Sequence, residues 1–190
     1  MPDFTLARRA MVDSQLRPQG VTDAAVLAAM GSVPREDFVP EGARGFAYFD
    51  RSLPLGDGKS LMAPTALGQL LSEAGPRAGE HALVIGAGAG YAAALLEAIG
   101  LEVTSRDTAD GPGGYDFVLV DGALEQVPAS LGTLLNPGGR VAAALADGGV
   151  TRLAIGTAAA GSTFSWRTVG DADVALLPAF RRPAAFLFQA

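Results

Sequence analysis

The chain contains no cysteine, which excludes disulfide scaffolds and thiolate metal centres. Its single histidine is His81. One imidazole is too few for an ordinary histidine-based metal site, so no metal is expected. No run approaches the roughly 20 apolar residues that a membrane-spanning helix needs, so no membrane partner is expected. Basic residues are outnumbered, with 14 Lys and Arg against 20 Asp and Glu, for a net charge of −6. A duplex nucleic acid would select a basic patch, so no nucleic-acid partner is expected either. The start, Met1-Pro2-Asp3-Phe4, lacks the basic-then-apolar pattern of a secretory leader, and a cytoplasmic location is expected.

What is present is apolar. Hydrophobic residues make up 49% of the chain and charged residues 18%, a globular balance that argues against disorder. A chain of 190 residues buries roughly 70% of its unfolded surface, so it needs no covalent staples. One domain, 1–190, is expected. Residues 1–64 would form N-terminal helices and a substrate-side loop, and 65–190 an α/β core. Helices are predicted over 5–16, over 22–31 with Thr22 as N-cap, and over 65–74. Residues 37–64 are rich in Pro and Gly and read as irregular. A loop of that length is usually functional or disordered, and its aromatics argue against disorder.

From residue 81 the pattern turns to strand, helix, strand. The run His81-Ala82-Leu83-Val84-Ile85-Gly86-Ala87-Gly88-Ala89-Gly90-Tyr91 is a short apolar strand entering Gly-x-Gly-x-Gly, then an Ala/Leu-rich helix over 92–99. Glycines at such a turn allow close backbone approach to a ligand, and the following helix N-terminus aims free N–H groups at the same space. Further strands are predicted at 101–106, 116–121 and 140–146, with a helix over 123–135. A hairpin over 151–158 and 163–169 and a last strand over 184–189 complete the reading. Continuous apolar runs such as Phe117-Val118-Leu119-Val120 suit strands buried on both faces of a parallel sheet.

The link 108–115 is unusually short. A parallel crossover normally takes a dozen or more residues, usually with a helix. Eight extended residues reach about 26 Å, just enough to return to a strand two positions away. Either a bare loop replaces a helix–strand unit, or 101–106 and 116–121 form a hairpin. The first is favoured because it puts Asp107 and Asp121 at strand C-termini beside the glycine loop. Ligands bind at such ends, and Asp107, 17 residues past Gly90, could accept hydrogen bonds from ribose hydroxyls.

Several segments then resemble one family in one order. Met11-Val12-Asp13-Ser14-Gln15-Leu16-Arg17, Val33-Pro34-Arg35-Glu36-Asp37-Phe38-Val39-Pro40, and Ala47-Tyr48-Phe49-Asp50 with Leu53-Pro54-Leu55-Gly56 are similar to the N-terminal half of protein-L-isoaspartate O-methyltransferases. The glycine loop, Tyr115-Asp116-Phe117-Val118-Leu119-Val120-Asp121-Gly122-Ala123 and Leu135-Asn136-Pro137-Gly138-Gly139-Arg140 resemble its downstream motifs. The resemblance implies a class I, Rossmann-like methyltransferase fold that binds S-adenosylmethionine and acts on proteins or peptides carrying isoaspartyl residues. It also implies that Gly86, Gly88 and Gly90 face the methionine part of the donor and Asp107 its ribose; Asp121, at the third strand end, is a further cofactor-side candidate.

The departures are local. The family loop Gly-Gln-Thr-Ile-Ser-x-Pro is here Gly58-Lys59-Ser60-Leu61-Met62-Ala63-Pro64. Met62 thus takes the place of the serine beside the transferred methyl, and Ser60 that of the threonine. These two are the candidate catalytic positions. Val84 replaces an acid before the glycine loop. Two readings stay open on these residues, an isoaspartyl-type carboxyl methyltransferase and a non-catalytic binding module of the same fold. A nicotinamide enzyme is rejected, since no Tyr-Lys pair or second domain accompanies the glycine loop.

Overall fold

The computed structural model describes residues 3–86, 90–158 and 164–182. Its centre is a six-stranded sheet in the order β4-β3-β5-β6-β7-β8. The strands are β3 (His81–Ile85), β4 (Glu102–Arg106), β5 (Tyr115–Leu124), β6 (Leu135–Asp147), β7 (Val150–Ala158) and β8 (Phe164–Asp171). The first four run parallel; β7 pairs antiparallel with β6, and β8 antiparallel with β7. A separate two-stranded hairpin joins β1 (Leu53–Gly56) to β2 (Lys59–Leu61) inside the stretch expected to be irregular.

Alternation along the strands splits the core. Ala82, Val84, Phe117, Leu119, Ala142 and Ala144 face the helical side. There they meet α2 (Ala24–Ser32), α3 (Pro64–Ala74) and α4 (Tyr91–Ile99). Leu83, Ile85, Val118, Val120, Val141 and Ala143 face a thinner layer built from α5 (Ser130–Leu134) and Phe180. β3, β5 and β6 are buried on both faces, as continuous apolar strands require, while β4 and β8 are largely exposed.

The short link is a bare crossover. β4 and β5 both pair parallel with β3, on opposite sides, so no hairpin forms between them. Arg106 closes the loop on itself. Its guanidinium donates to the Asp110 and Pro112 carbonyls at 3.1 and 3.3 Å and to the Tyr115 hydroxyl at 2.7 Å.

Some boundaries differ from the sequence reading. The first helix, α1 (Phe4–Met11), passes into a π-helical turn at Val12–Leu16. Asp23 rather than Thr22 caps α2, accepting from the Ala25 and Val26 amides at 2.8 and 3.0 Å. The helix expected over 123–135 shrinks to Ser130–Leu134, because β5 runs on to Leu124 and Pro128 disfavours helix at the residue before it. The turn around Gly161 and the strand expected over 184–189 lie outside the described residues. Among the described residues no helix is long and apolar enough to cross a membrane.

Candidate active site

Open α/β sheets bind ligands beyond the strand carboxyl ends, where the strand order reverses. Here that point lies between β3 and β5, since the chain steps from β3 to β4 on one side and then crosses back to β5 on the other. Gly86 follows β3, and Gly122 lies in β5 just past its pairing with β3. Both hold positive φ, +78° and +153°, which glycine adopts without strain. Gly90 caps the start of α4 in the left-handed conformation. Gly88 lies outside the described residues.

The space over both glycines belongs to one side chain. A Cβ built on Gly86 would stand 2.7 Å from a Leu177 methyl, and one on Gly122 would stand 2.4 Å from Leu177 Cγ. Leu177 is carried by residues 174–177, which run beside the end of β5. The Ala123 amide donates to the Ala175 carbonyl at 2.9 Å, and the Leu177 amide donates back to the Ala123 carbonyl at 3.0 Å. Together with the pairing of Ala123 and Leu124 to Ala144 and Leu145 of β6, these bonds keep the segment extended: tertiary partners outweigh its helix propensity.

Leu177 divides the hollow into two parts. One is a cleft of about 190 Å³ lined by Lys59, Gly86, Asp107 and Leu177. The other is a crevice of about 10 Å³ lined by Ser60, Met62, Asp121, Gly122 and Leu177. Every described residue predicted for the site except Gly90 therefore borders one hollow or the other. Asp107 is exposed and stands 3.8 Å from the Lys59 ammonium. The Ser60 hydroxyl donates to the Leu53 carbonyl at 3.2 Å, across the hairpin. The Met62 side chain is buried. A wider hollow of about 230 Å³, between Glu125, Asp147 and Arg182, holds none of the predicted residues.

Beneath the crevice lies Arg35, fully buried. Its Nε donates to the Ala47 carbonyl at 2.7 Å and its Nη2 to the Met62 carbonyl at 2.6 Å. Its guanidinium carbon lies 5.0 Å from the Tyr91 ring centre, on the first residue of α4. Burial pulls the Arg35 pKa below the usual arginine range, while Tyr91 and the buried Asp121 carboxylate act electrostatically to hold it up. Burial likewise pushes the Tyr91 phenol up to about 12. One cation thus ties the chain at Ala47 and Met62 to the first residue of α4.

Arg35 and Leu177 were not singled out as site residues by their sequence. Arg35 stands in Val33-Pro34-Arg35, which reads as a helix end, and an arginine gives no local sign that it will be buried. Leu177 sits in a short apolar stretch with no periodicity. His81 opens β3, at the end of the strand opposite Gly86. It is exposed and stands 3.1 Å from Glu102 and 3.7 Å from Asp116. Trp166 packs on Phe164 and over Gly156. Among the described residues no group of three or more His, Asp or Glu could hold a metal.

Comparison with known proteins converges on one family. The family model for protein-L-isoaspartate(D-aspartate) O-methyltransferase matches residues 7–106. The match ends at Arg106, where the bare crossover begins. A protein-L-isoaspartate O-methyltransferase of Methylorubrum extorquens is 35% identical, over 74% of this chain and 75% of its own. Protein-L-isoaspartate O-methyltransferase 2 of Marinobacter nauticus is 34% identical, over 89% of this chain and 91% of its own. Among solved structures, the fold is shared with a Plasmodium falciparum protein assigned as a protein-L-isoaspartate O-methyltransferase, in complex with S-adenosyl-L-homocysteine. The TM-score is 0.73 at 15% identity, covering 90% of this chain and 98% of that one.

Proposed function

Because this chain belongs to the protein-L-isoaspartate(D-aspartate) O-methyltransferase family, we propose that it transfers a methyl group to the carboxylate of isoaspartyl residues in proteins, with Gly86, Asp107, Ser60, Met62 and Asp121 forming the site. The observation that carries this assignment is their convergence on the C-terminal ends of β3, β4 and β5. S-adenosylmethionine, the methyl donor of this reaction, supplies the methyl as an electrophilic sulfonium group. Gly86, Gly88 and Gly90 would hold its amino-acid end and Asp107 its ribose. In the conformation described here Leu177 stands over Gly86 and Gly122.

The residues present suit this chemistry in kind. A carboxylate with a pKa of about 4 is already ionised at neutral pH, so the acceptor needs no general base. The lone histidine lies at the far end of β3, about 17 Å away at 3.3 Å per residue, where it cannot serve as one. The work left to the protein is positioning and exclusion of water. Met62 cannot donate a hydrogen bond to the carboxylate. Among the described residues Ser60 and Ser52 are the hydroxyls that border the crevice, and Ser60 takes over the orienting role by exchanging its bond to the Leu53 carbonyl for one to the substrate. The buried Arg35 fixes the Met62 backbone on which this geometry depends.

Transfer of labelled methyl from S-adenosylmethionine to an isoaspartyl peptide, against the same peptide with ordinary aspartate, tests the assignment. A base-labile ester on the isoaspartyl peptide alone is expected. Equal labelling of both peptides, or of neither, contradicts it.

A further inference from the structure

We propose that Leu177 is the gate of the donor site: it stands over Gly86 and Gly122, and residues 175–179 must swing out before the donor binds, so Leu177 sets the affinity for the donor. This inference rests on the functional reading above.

Three observations carry it. First, Leu177 fills the gap between two positive-φ glycines at the sheet's switch point, where an open α/β sheet takes its ligand. Second, the hollow is too small as it stands. The cleft beside Gly86 is about 190 Å³, below the roughly 300–1,000 Å³ of ordinary ligand pockets. The crevice beside Gly122 is about 10 Å³. Leu177 and Gly58 border both, so moving Leu177 joins them into one site reaching from Asp107 to Met62.

Third, the segment is built to move as a bow between fixed ends. Val174 is buried in the helical-side core and Phe180 in the opposite one. Between them, the backbone is tied to β5 by the bridge at Ala123, with its two hydrogen bonds of 2.9 and 3.0 Å, and the Leu176 and Leu177 side chains pack at the edges of the two cores. Leu177 itself is only half-buried. Breaking so small a patch lies within the range of local opening that folded proteins reach without unfolding.

The gate lowers apparent affinity by the fraction of molecules that are open. Leu177→Ala removes most of the side chain that favours the closed state. S-adenosyl-L-homocysteine, measured by calorimetry on the full chain, should then bind about tenfold more tightly than to wild type. Hydrogen exchange gives a second readout on the unaltered protein. The Leu177 amide should lose protection when S-adenosyl-L-homocysteine is added, while β3 amides should not. Equal affinities for the two proteins, or a Leu177 amide that stays protected in the complex, overturn the gate. If methyl transfer to the isoaspartyl peptide persists in that case, the functional reading stands and the gate alone falls. Absence of binding to either protein overturns both.

Discussion

Replacing Arg35 with methionine separates the charge of this buried side chain from its bulk. Methionine keeps similar length and apolar character but loses all five donors. The Ala47 and Met62 carbonyls, which accept from Arg35 at 2.7 and 2.6 Å, would be left without that partner. The Asp121 carboxylate, 3% exposed, would lose the electrostatic attraction of that guanidinium. Hydrogen bonds to a charged group contribute about 1.5–3 kcal/mol each. Part of that is offset, because the variant no longer buries a guanidinium. The two charge-assisted bonds together, less that offset, set the expected net loss at about 3–5 kcal/mol. For a chain of this size each kcal/mol lowers Tm by about 2–4 °C, so the loss should be roughly 6–20 °C. Urea unfolding at constant m-value gives the free energy directly. Adding Asp121→Asn should cost less in the Arg35→Met background than in wild type, with a coupling of about 1–3 kcal/mol. A loss below about 1 kcal/mol, or effects that add within about 0.5 kcal/mol, would refute the role given to this residue.

Two further predictions concern the site loop and pH. Met62→Ser should raise kcat for the isoaspartyl peptide by about 10- to 100-fold, since a well-placed donor is worth that much or more in other enzymes; an unchanged or lower kcat per folded molecule would show that Met62 does not hold the orienting position. Burial pushes Glu80 up, but its hydrogen bonds from Arg140 and the Arg77 amide outweigh this and hold its pKa below the usual value. Its stabilisation is therefore present above the unfolded pKa of about 4.3 and lost as pH falls through the lower folded value. Asp116, held down chiefly by the Asn136 amide, adds in the same direction. Unfolding free energy should fall between about pH 5 and pH 3, and Glu80→Gln should flatten the decline; parallel curves for the two proteins would contradict this.

Much of the fold was legible from apolar runs and spacing. β3, β5 and β6 declare themselves because both faces are buried; at 108–115 chain length made a bare crossover just possible, and the placement of Asp107 and Asp121 at strand ends favoured it over a hairpin. The two site clusters were also legible, since Gly86, Asp107 and Asp121 sit near strand ends. What could not be read was long-range. Ala123 and Leu124 have helix-forming side chains, yet both pair with β6, and Ala123 also bonds to Ala175 and Leu177, more than 50 positions away. Arg35 looks like a surface residue until Asp121, Met62 and Tyr91 surround it. Leu177 acquires a role only because the two glycines it covers leave room for it.

The most direct measurement is a crystal structure of the full chain with S-adenosyl-L-homocysteine. The account predicts the ligand in contact with Gly86, Gly122 and Asp107, with Leu177 displaced from both glycines. A ligand bound elsewhere, or one bound while Leu177 still packs on Gly86 and Gly122, would contradict it.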